Sequence, residues 1–381
     1  MNADELRAAR TALTDTVERF ACTEIAPHVT AWDAAGEFPR ALYRRAGELG
    51  LLGLGYPEQY GGTPASQRLR LSMWVALCRH GGSGGVLASL LSHNIGLPPV
   101  LALGSEAVKR EVIPPVLAGD RIAALAITEP GGGSDVAALT TRARRDGDHY
   151  VVDGEKVFIT SGMRADWITV AVRTGAGVGG ISLLLVPGDS AGLSRTRLDK
   201  MGWQCSDTAQ LRFDGVRVPA RYLLGDEGAG FKAIMANFNG ERFGIAAAAL
   251  GFAQACHDEA LAWARQRQTF GMPLVGHQVI RHRLVDMQQR IRATSAWLEQ
   301  LAARADAGDS GADWVGEVCV LKNHATQALQ FCADAGVQIL GGMGYMRGTV
   351  CERIYREVKV LTIGGGSEEI MKELAARQWH L

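Results

Sequence analysis

Hydrophobic period changes twice along this chain, and few architectures allow both changes. In residues 1–122 apolar side chains recur at three- and four-residue intervals, as in "ADELRAARTALTDTVERF" and "SQRLRLSMWVALCRHG", the spacing of amphipathic helices. Between 123 and 230 the helical spacing disappears. "HYVVDGEKVFIT", "WITVAVRT", "ISLLLVP" and "TAQLRFDGVRVP" read as short strands separated by glycine-rich or charged turns. From Phe231 the helical spacing returns, with Ile280, Leu284, Met287, Ile291, Leu298 and Leu301 near a seven-residue repeat. The expectation is an α+β, mostly α chain: an N-terminal helical domain (1–122), a middle antiparallel β-barrel or sandwich (123–230) and a C-terminal four-helix bundle (231–381). Asp153-Gly154 reads as the middle segment's hairpin turn, and "KVLTI" (359–363) as a strand leading into a glycine bend.

Bulk properties narrow the function classes. With Lys+Arg and Asp+Glu both at 40, the formal charge is zero, which argues against nucleic acid or an anionic membrane as the main partner. The apolar runs "IAALAI" and "ISLLLV" are too short to span a bilayer. "MNADELRAAR" lacks an apolar signal region. The seven cysteines form no C-x-x-C pair, so reduced thiols in the cytoplasm are expected. The nine histidines offer no H-x-x-x-H or H-E-x-x-H spacing, and no metal set is expected.

One helix carries a misfit. In "FKAIMANFNGERFGIAAAALGF" the inward stripe runs Ile234, Phe238, 241, Ile245, Ala248, Phe252, and position 241 is glutamate. A carboxylate on an apolar stripe costs desolvation unless it is paired, protonated or functional. Pattern alone leaves a structural ion pair and a catalytic base equally open. A second unusual stretch is "LTIGGGSEEIMKEL" (361–374), where three glycines bring bare backbone close to something. A third is "LAITEPGGGSD" (125–135), a strand running into a glycine loop that can offer amides and the Ser134 hydroxyl to a planar or anionic ligand. It is neither a P-loop nor a Rossmann fingerprint.

These stretches, with "DGEKVFIT" (153–160), "RQTFG" (267–271), "QILGGMGY" (338–345) and "RIYREVKVLTIGGGSEEI" (353–370), resemble in order and content the signatures of the acyl-CoA dehydrogenase family. The resemblance runs nearly end to end. It implies an FAD enzyme, usually a homotetramer built as a dimer of dimers, that converts an acyl-CoA thioester into a trans-2-enoyl-CoA. It further implies an electron-transfer flavoprotein as electron acceptor. By the same resemblance the isoalloxazine lies against Leu125, Ile127, Thr128, Gly133 and Ser134, with Phe158 and Thr160 on its other side. The pyrophosphate falls to Arg267, joined by Phe270 and Gln278. Gln338, Gly341 and Gly342 line the adenosine end from a partner subunit, and Gly366, Ser367 and Glu368 also touch the cofactor. Ser134, Arg242 and Gly365 are implied at the substrate.

Most of the family carries its catalytic glutamate in the last motif, in a Tyr-Glu-Gly-Thr-Ser pattern. Aligned on Ile363, that position is Gly364, so the usual base is absent. A branch that includes isovaleryl- and long-chain-type enzymes supplies the carboxylate from the long helix in a Leu-x-x-Glu-Arg pattern, and "FNGER" puts Glu241 there. Glu241 is then the implied base, and the Gly364 amide the implied donor to the thioester carbonyl. The run "KMGWQCSDTAQLRFDGVRVP" (200–219) is similar to citronellyl-CoA-type dehydrogenases, which favours a branched, medium-to-long acyl group. Carrier-protein-bound acyl groups, flavin oxidase or monooxygenase chemistry and a non-catalytic subunit are the alternatives.

Overall fold

The computed structural model describes residues 3–381. Eight helices come first: α1 (Ala3–Phe20), α2 (Val29–Ala35), α3 (Ala41–Glu48), α4 (Gln67–Gly81), α5 (Gly84–Leu90), α6 (His93–Gly96), α7 (Pro98–Leu103) and α8 (Glu106–Leu117). Their starts are chemically marked. Ser66, Ser83 and Ser105 each accept a hydrogen bond from the backbone three residues on, satisfying amides that a helix N-terminus leaves free.

Seven strands follow: β1 (Ala123–Ala126), β2 (Arg142–Asp146), β3 (His149–Ile159), β4 (Trp167–Arg173), β5 (Ile181–Pro187), β6 (Leu193–Arg197) and β7 (Ala209–Pro219). They form one sheet in the order β1-β4-β2-β3-β7-β6, with β5 paired to β4. β1 and β2 lie end to end beside β4 and run parallel to it, so the sheet is mixed rather than wholly antiparallel. β4 and β5 are mostly apolar and deeply buried, whereas β7 alternates and faces solvent on one side.

The hairpin lies elsewhere than the sequence reading put it. Asp153-Gly154 is inside β3; the chain reverses at Asp146-Gly147-Asp148, where Gly147 has φ +62°. Gly154 is instead a bulge opposite β7. Its φ is +145°, and a Cβ there would meet the Thr141 backbone at 2.7 Å. Both Asp-Gly pairs carry the same local signal, and pairing with β7 decides between them.

The C-terminal part holds α9 (Gly230–Gln266), a small hairpin of β8 (Gln268–Thr269) and β9 (Met272–Pro273), then α10 (Gln278–Asp306), α11 (Ala312–Leu340), α12 (Gly342–Tyr345), α13 (Val350–Ile363) and α14 (Glu368–Gln378). α9, α10, α11 and α13 make the bundle, and α14 packs on α11. "KVLTI" is the last turn of α13, not a strand. Cys351, Ile354, Val358 and Leu361 are buried at helical spacing, and Thr349 caps the start by accepting from the Glu352 amide. The β-branched run at 358–363 is overruled by that longer stripe.

Two cores result. One joins the helices; the other fills the sheet. α9 belongs to both. Ile234 and Phe238 pack into the sheet core, and Ala248 and Phe252 into the helical core, with Ile245 against it. Glu241 lies at the crossover. Among the described residues no single helix is long and apolar enough to cross a membrane.

Candidate active site

The glycine bend between α13 and α14 packs directly against Glu241. Gly365 has φ +68°, and a Cβ built on it would lie 3.9 Å from the Glu241 Cδ and 2.8 Å from the Ile245 Cδ1. Only glycine fits a left-handed bend that approaches another helix so closely. Gly366 is similar, with φ +116° and Met371 in the way of any side chain. Gly364 differs. Its φ is −61°, its Cβ direction meets only the Val360 carbonyl, and its N–H ends α13 by donating to that carbonyl at 2.7 Å.

The position facing Glu241 is Gly365, and the Gly364 amide is already engaged. The Gly365 amide has no hydrogen-bond partner among the described residues. We expect Gly365→Ala to lower stability by about 1–2 kcal/mol through its left-handed backbone, and Gly364→Ala to cost clearly less. Thermal unfolding of the two variants checks the order, and equal losses would contradict the geometry.

Glu241 is half-buried. Desolvation raises its carboxyl to about 6, against the lowering pull of Arg242 and then Lys322. Such a group is ionised at neutral pH yet basic enough to take a proton. Arg242 is buried and held from two sides. Its Nε donates to the Gly365 carbonyl at 2.9 Å and its Nη1 to Asn239 Oδ1 at 3.1 Å. Arg242 therefore ties α9 to the bend rather than merely neighbouring Glu241.

The second group of expected residues gathers at one end of the sheet. β1 delivers Leu125 and then Ile127, Thr128 and the 130–134 loop. The Val157 amide donates to the Thr128 carbonyl at 2.9 Å, which sets the end of β3 beside that loop. At a register shift in β3, Phe158 takes φ +63° and stands 69% exposed, turned out of the sheet. The amides of Gly131, Gly133 and Ser134 have no partner among the described residues. An apolar wall, an outward phenyl ring and unpaired donors suit a planar ring with a polar edge, as a flavin has. Phe238, one turn before Glu241, packs on the core containing Leu125 and Ile127, so this group and the base share one neighbourhood.

A buried ion pair that sequence reading missed supports the loop. Glu129 accepts from Thr140 (N and Oγ1), Thr141 N and Lys156 Nζ, and Lys156 also donates to the Ile127 carbonyl. Burial alone would raise the Glu129 carboxyl, but Lys156 and these hydrogen bonds bring it down to about 2. Lys322 and Asn323 on α11 were also missed. Their partners all lie across the glycine bend. Ser367 serves as the cap of α14, accepting from the Ile370 amide, and the Glu368 carboxylate accepts from Gln327.

The remaining expected residues are not brought to this place. Arg267, Phe270 and Gln278 follow the far end of α9. Twenty-six residues separate Glu241 from Arg267, about 39 Å along a helix. Phe270 is 95% exposed with φ +50°. Gln338, Gly341 and Gly342 are exposed at the C-terminal end of α11, near the same end of the bundle, since α9 and α11 lie side by side with Gly336 against Cys256. Away from both groups, Glu18, Cys22 and His80 bring one potential ligand atom each within 4.8 Å, a cluster that no sequence spacing marked.

Comparison with known proteins bears on this geometry. Models of the acyl-CoA dehydrogenase N-terminal, middle and C-terminal domains match residues 8–120, 124–216 and 228–380. The chain is 37% identical to an acyl-CoA dehydrogenase of Bacillus subtilis, with 95% of each chain covered. It is 36% identical to cyclohexane-1-carbonyl-CoA dehydrogenase of Geobacter metallireducens, with 96% of each covered. The crystal structure of acyl-CoA dehydrogenase from Geobacillus kaustophilus matches at TM-score 0.93 and 33% identity, over 100% of this chain and 99% of that one. With three domain models in order and full-length relatives of this similarity, the chain belongs to the acyl-CoA dehydrogenase family and is an FAD-dependent oxidoreductase.

Proposed function

We propose that the protein desaturates an acyl-CoA thioester between its α- and β-carbons, with Glu241 as the base that removes the α-proton. The observation that carries this is the meeting of Glu241 with Gly365: a carboxyl raised to about 6 faces a bend kept free of side chains. Leu125 to Thr128, Gly133, Ser134, Phe158 and Thr160 would hold the FAD ring, which when bound accepts hydride from the β-carbon. The unpartnered Gly365 amide, in place of Gly364, is suited to donate a hydrogen bond to the thioester oxygen. Polarising that carbonyl acidifies the α-carbon. Arg242 fixes both Glu241's helix and the bend. As the α-proton passes to the Glu241 carboxylate and a hydride leaves the β-carbon, the two freed electron pairs are accounted for by one new carbon–carbon double bond and one two-electron reduction.

The acyl group we propose is branched and of medium to long chain. The absent side chain at Gly364, whose Cβ direction meets only the Val360 carbonyl, and the likeness of residues 200–219 to citronellyl-CoA-type enzymes support it. Anaerobic mixing of the yellow protein with straight and branched acyl-CoAs tests this by the rate of flavin bleaching. Faster bleaching by branched thioesters is expected; a clear preference for butyryl-CoA would reject it.

The distance between Glu241 and Arg267 supports a homotetramer, a dimer of dimers, in which Arg267, Phe270, Gln278, Gln338, Gly341 and Gly342 serve a neighbour's cofactor. Electron-transfer flavoprotein is the proposed acceptor. The order of helices, sheet and helices supports three domains at 1–122, 123–230 and 231–381. Seven unpaired cysteines support a reducing compartment, for which we propose the cytoplasm.

A further inference from the structure

The glycine bend is gripped from a third side by a residue that neither the motifs nor the mechanism above uses. Lys322 lies mid-way along α11 and is fully buried. Its Nζ donates to the Thr362 carbonyl at 3.1 Å and to the Gly366 carbonyl at 2.8 Å. Those carbonyls bracket the triplet. Of the carbonyls between them, that of Gly365 is taken by Arg242. The next residue on α11, Asn323, donates through Nδ2 to the Glu368 carbonyl at 2.9 Å. Three carbonyls of the bend thus point at cations, and the amide of Gly365 is left without a partner.

We propose that Lys322 is a positioning residue for the desaturation reaction: it clamps the carbonyls on both sides of the bend, aims the Gly365 amide at the substrate carbonyl, and places its positive charge near Glu241. The inference rests on the proposed role of Glu241. A lysine that only filled space would not need to sit between two carbonyls in a buried site, where an unpaired ammonium is costly. Its charged surroundings are Glu241 and Arg242 on α9, Glu368 at the start of α14, and Cys319 on its own helix. Burial lowers the Lys322 ammonium to about 8, with Glu368 opposing that fall, so it is charged at neutral pH. Its field lowers the Glu241 carboxyl. Losing that charge lets the Glu241 carboxyl rise, and the acidic limb of the rate profile moves to higher pH.

The test uses the holoenzyme with FAD content and thermal stability measured first. Lys322→Met removes charge and donors; Lys322→Gln removes charge but keeps a donor, and serves if the Met variant does not fold. Flavin reduction by acyl-CoA is followed by stopped flow across pH. In Lys322→Met the maximal reduction rate is expected to fall by between about tenfold and a hundredfold, the scale of a small misplacement of reacting groups, with a smaller change in half-saturating substrate. In both variants the acidic limb moves upward, and Lys322→Arg returns it towards the wild-type position. A folded, FAD-loaded Lys322→Met or Lys322→Gln protein whose limb stays put overturns the proposal. So does a rate loss fully accounted for by lost FAD. A Glu241→Gln control with unimpaired bleaching would instead sink the proposed base, so the two failures are told apart.

Discussion

Glu241→Gln is expected to give a yellow protein that acyl-CoA no longer bleaches. The substitution keeps the size of the side chain and removes its ability to accept a proton. Arg242, which ties α9 to the bend, bonds to Gly365 and Asn239 rather than to Glu241, so the local frame survives. The residues assigned to the FAD ring lie on β1, β3 and the 130–134 loop, so cofactor content should be unchanged. Loss of a positioned base costs about 10²–10⁴-fold, and the fall should appear in the maximal rate of flavin reduction. In the wild type that rate should decline as pH drops below about 6, because burial raises Glu241 to that value and only its ionised form takes the proton. A Gln variant that reduces its flavin at the wild-type rate would remove Glu241 from the mechanism.

The second large effect concerns Lys156→Met. Lys156 is fully buried, and its ammonium holds both the Ile127 carbonyl and the Glu129 carboxylate at 2.9 Å. Without it, Glu129 remains buried with hydrogen bonds from Thr140 and Thr141 but no counter-charge. Breaking a buried pair from one side costs about 3–5 kcal/mol. Because Ile127 to Ser134 forms the proposed flavin wall, FAD should also be released more readily. Differential scanning calorimetry and the flavin absorbance of the eluted protein read the two effects; an unchanged melting temperature would contradict them. The pH dependence has a definite sign. Glu129 is depressed to about 2 from its ordinary value of 4.5, so its contribution is complete above about 4.5 and is lost as pH falls towards 2. The variant should lack most of that acid-side loss.

How much of this could be read from the sequence depended on whether the cause was local. Glu241 stood out because an acid interrupted a 3–4 stripe, and the stripe is real: Ile234, Ala248 and Phe252 are buried. The order helices, sheet, helices followed from period alone. The glycine bend was noticed, but three identical residues give no mark by which to fix register. Only backbone angles showed that Gly365, not Gly364, faces the base. Two Asp-Gly pairs competed for one hairpin, and pairing with β7 resolved them. "KVLTI" reads as extended because three of its five residues are β-branched, and only the Cys351–Ile354–Val358–Leu361 stripe behind it marks the helix. Lys156 and Lys322 left a weaker trace. Their partners are 27 to 44 residues away, and a lysine is ordinarily read as solvent-facing. Val318, Lys322 and Ala325 do share a helical face, so the logic that found Glu241 applied there too. Arg267 and Gln338 were legible as motifs, but their separation from Glu241 appears only once α9 is drawn at full length.

The central claim is that Glu241 takes the α-proton, and it can be isolated from hydride transfer. An acyl-CoA analogue with sulfur in place of the β-carbon has acidic α-hydrogens and no β-hydride to give. Incubated with the FAD-loaded protein in deuterium oxide and read by mass spectrometry, the analogue should exchange its α-hydrogens with wild type and remain unexchanged with Glu241→Gln. Exchange at equal rates with both proteins would contradict the assignment of the base.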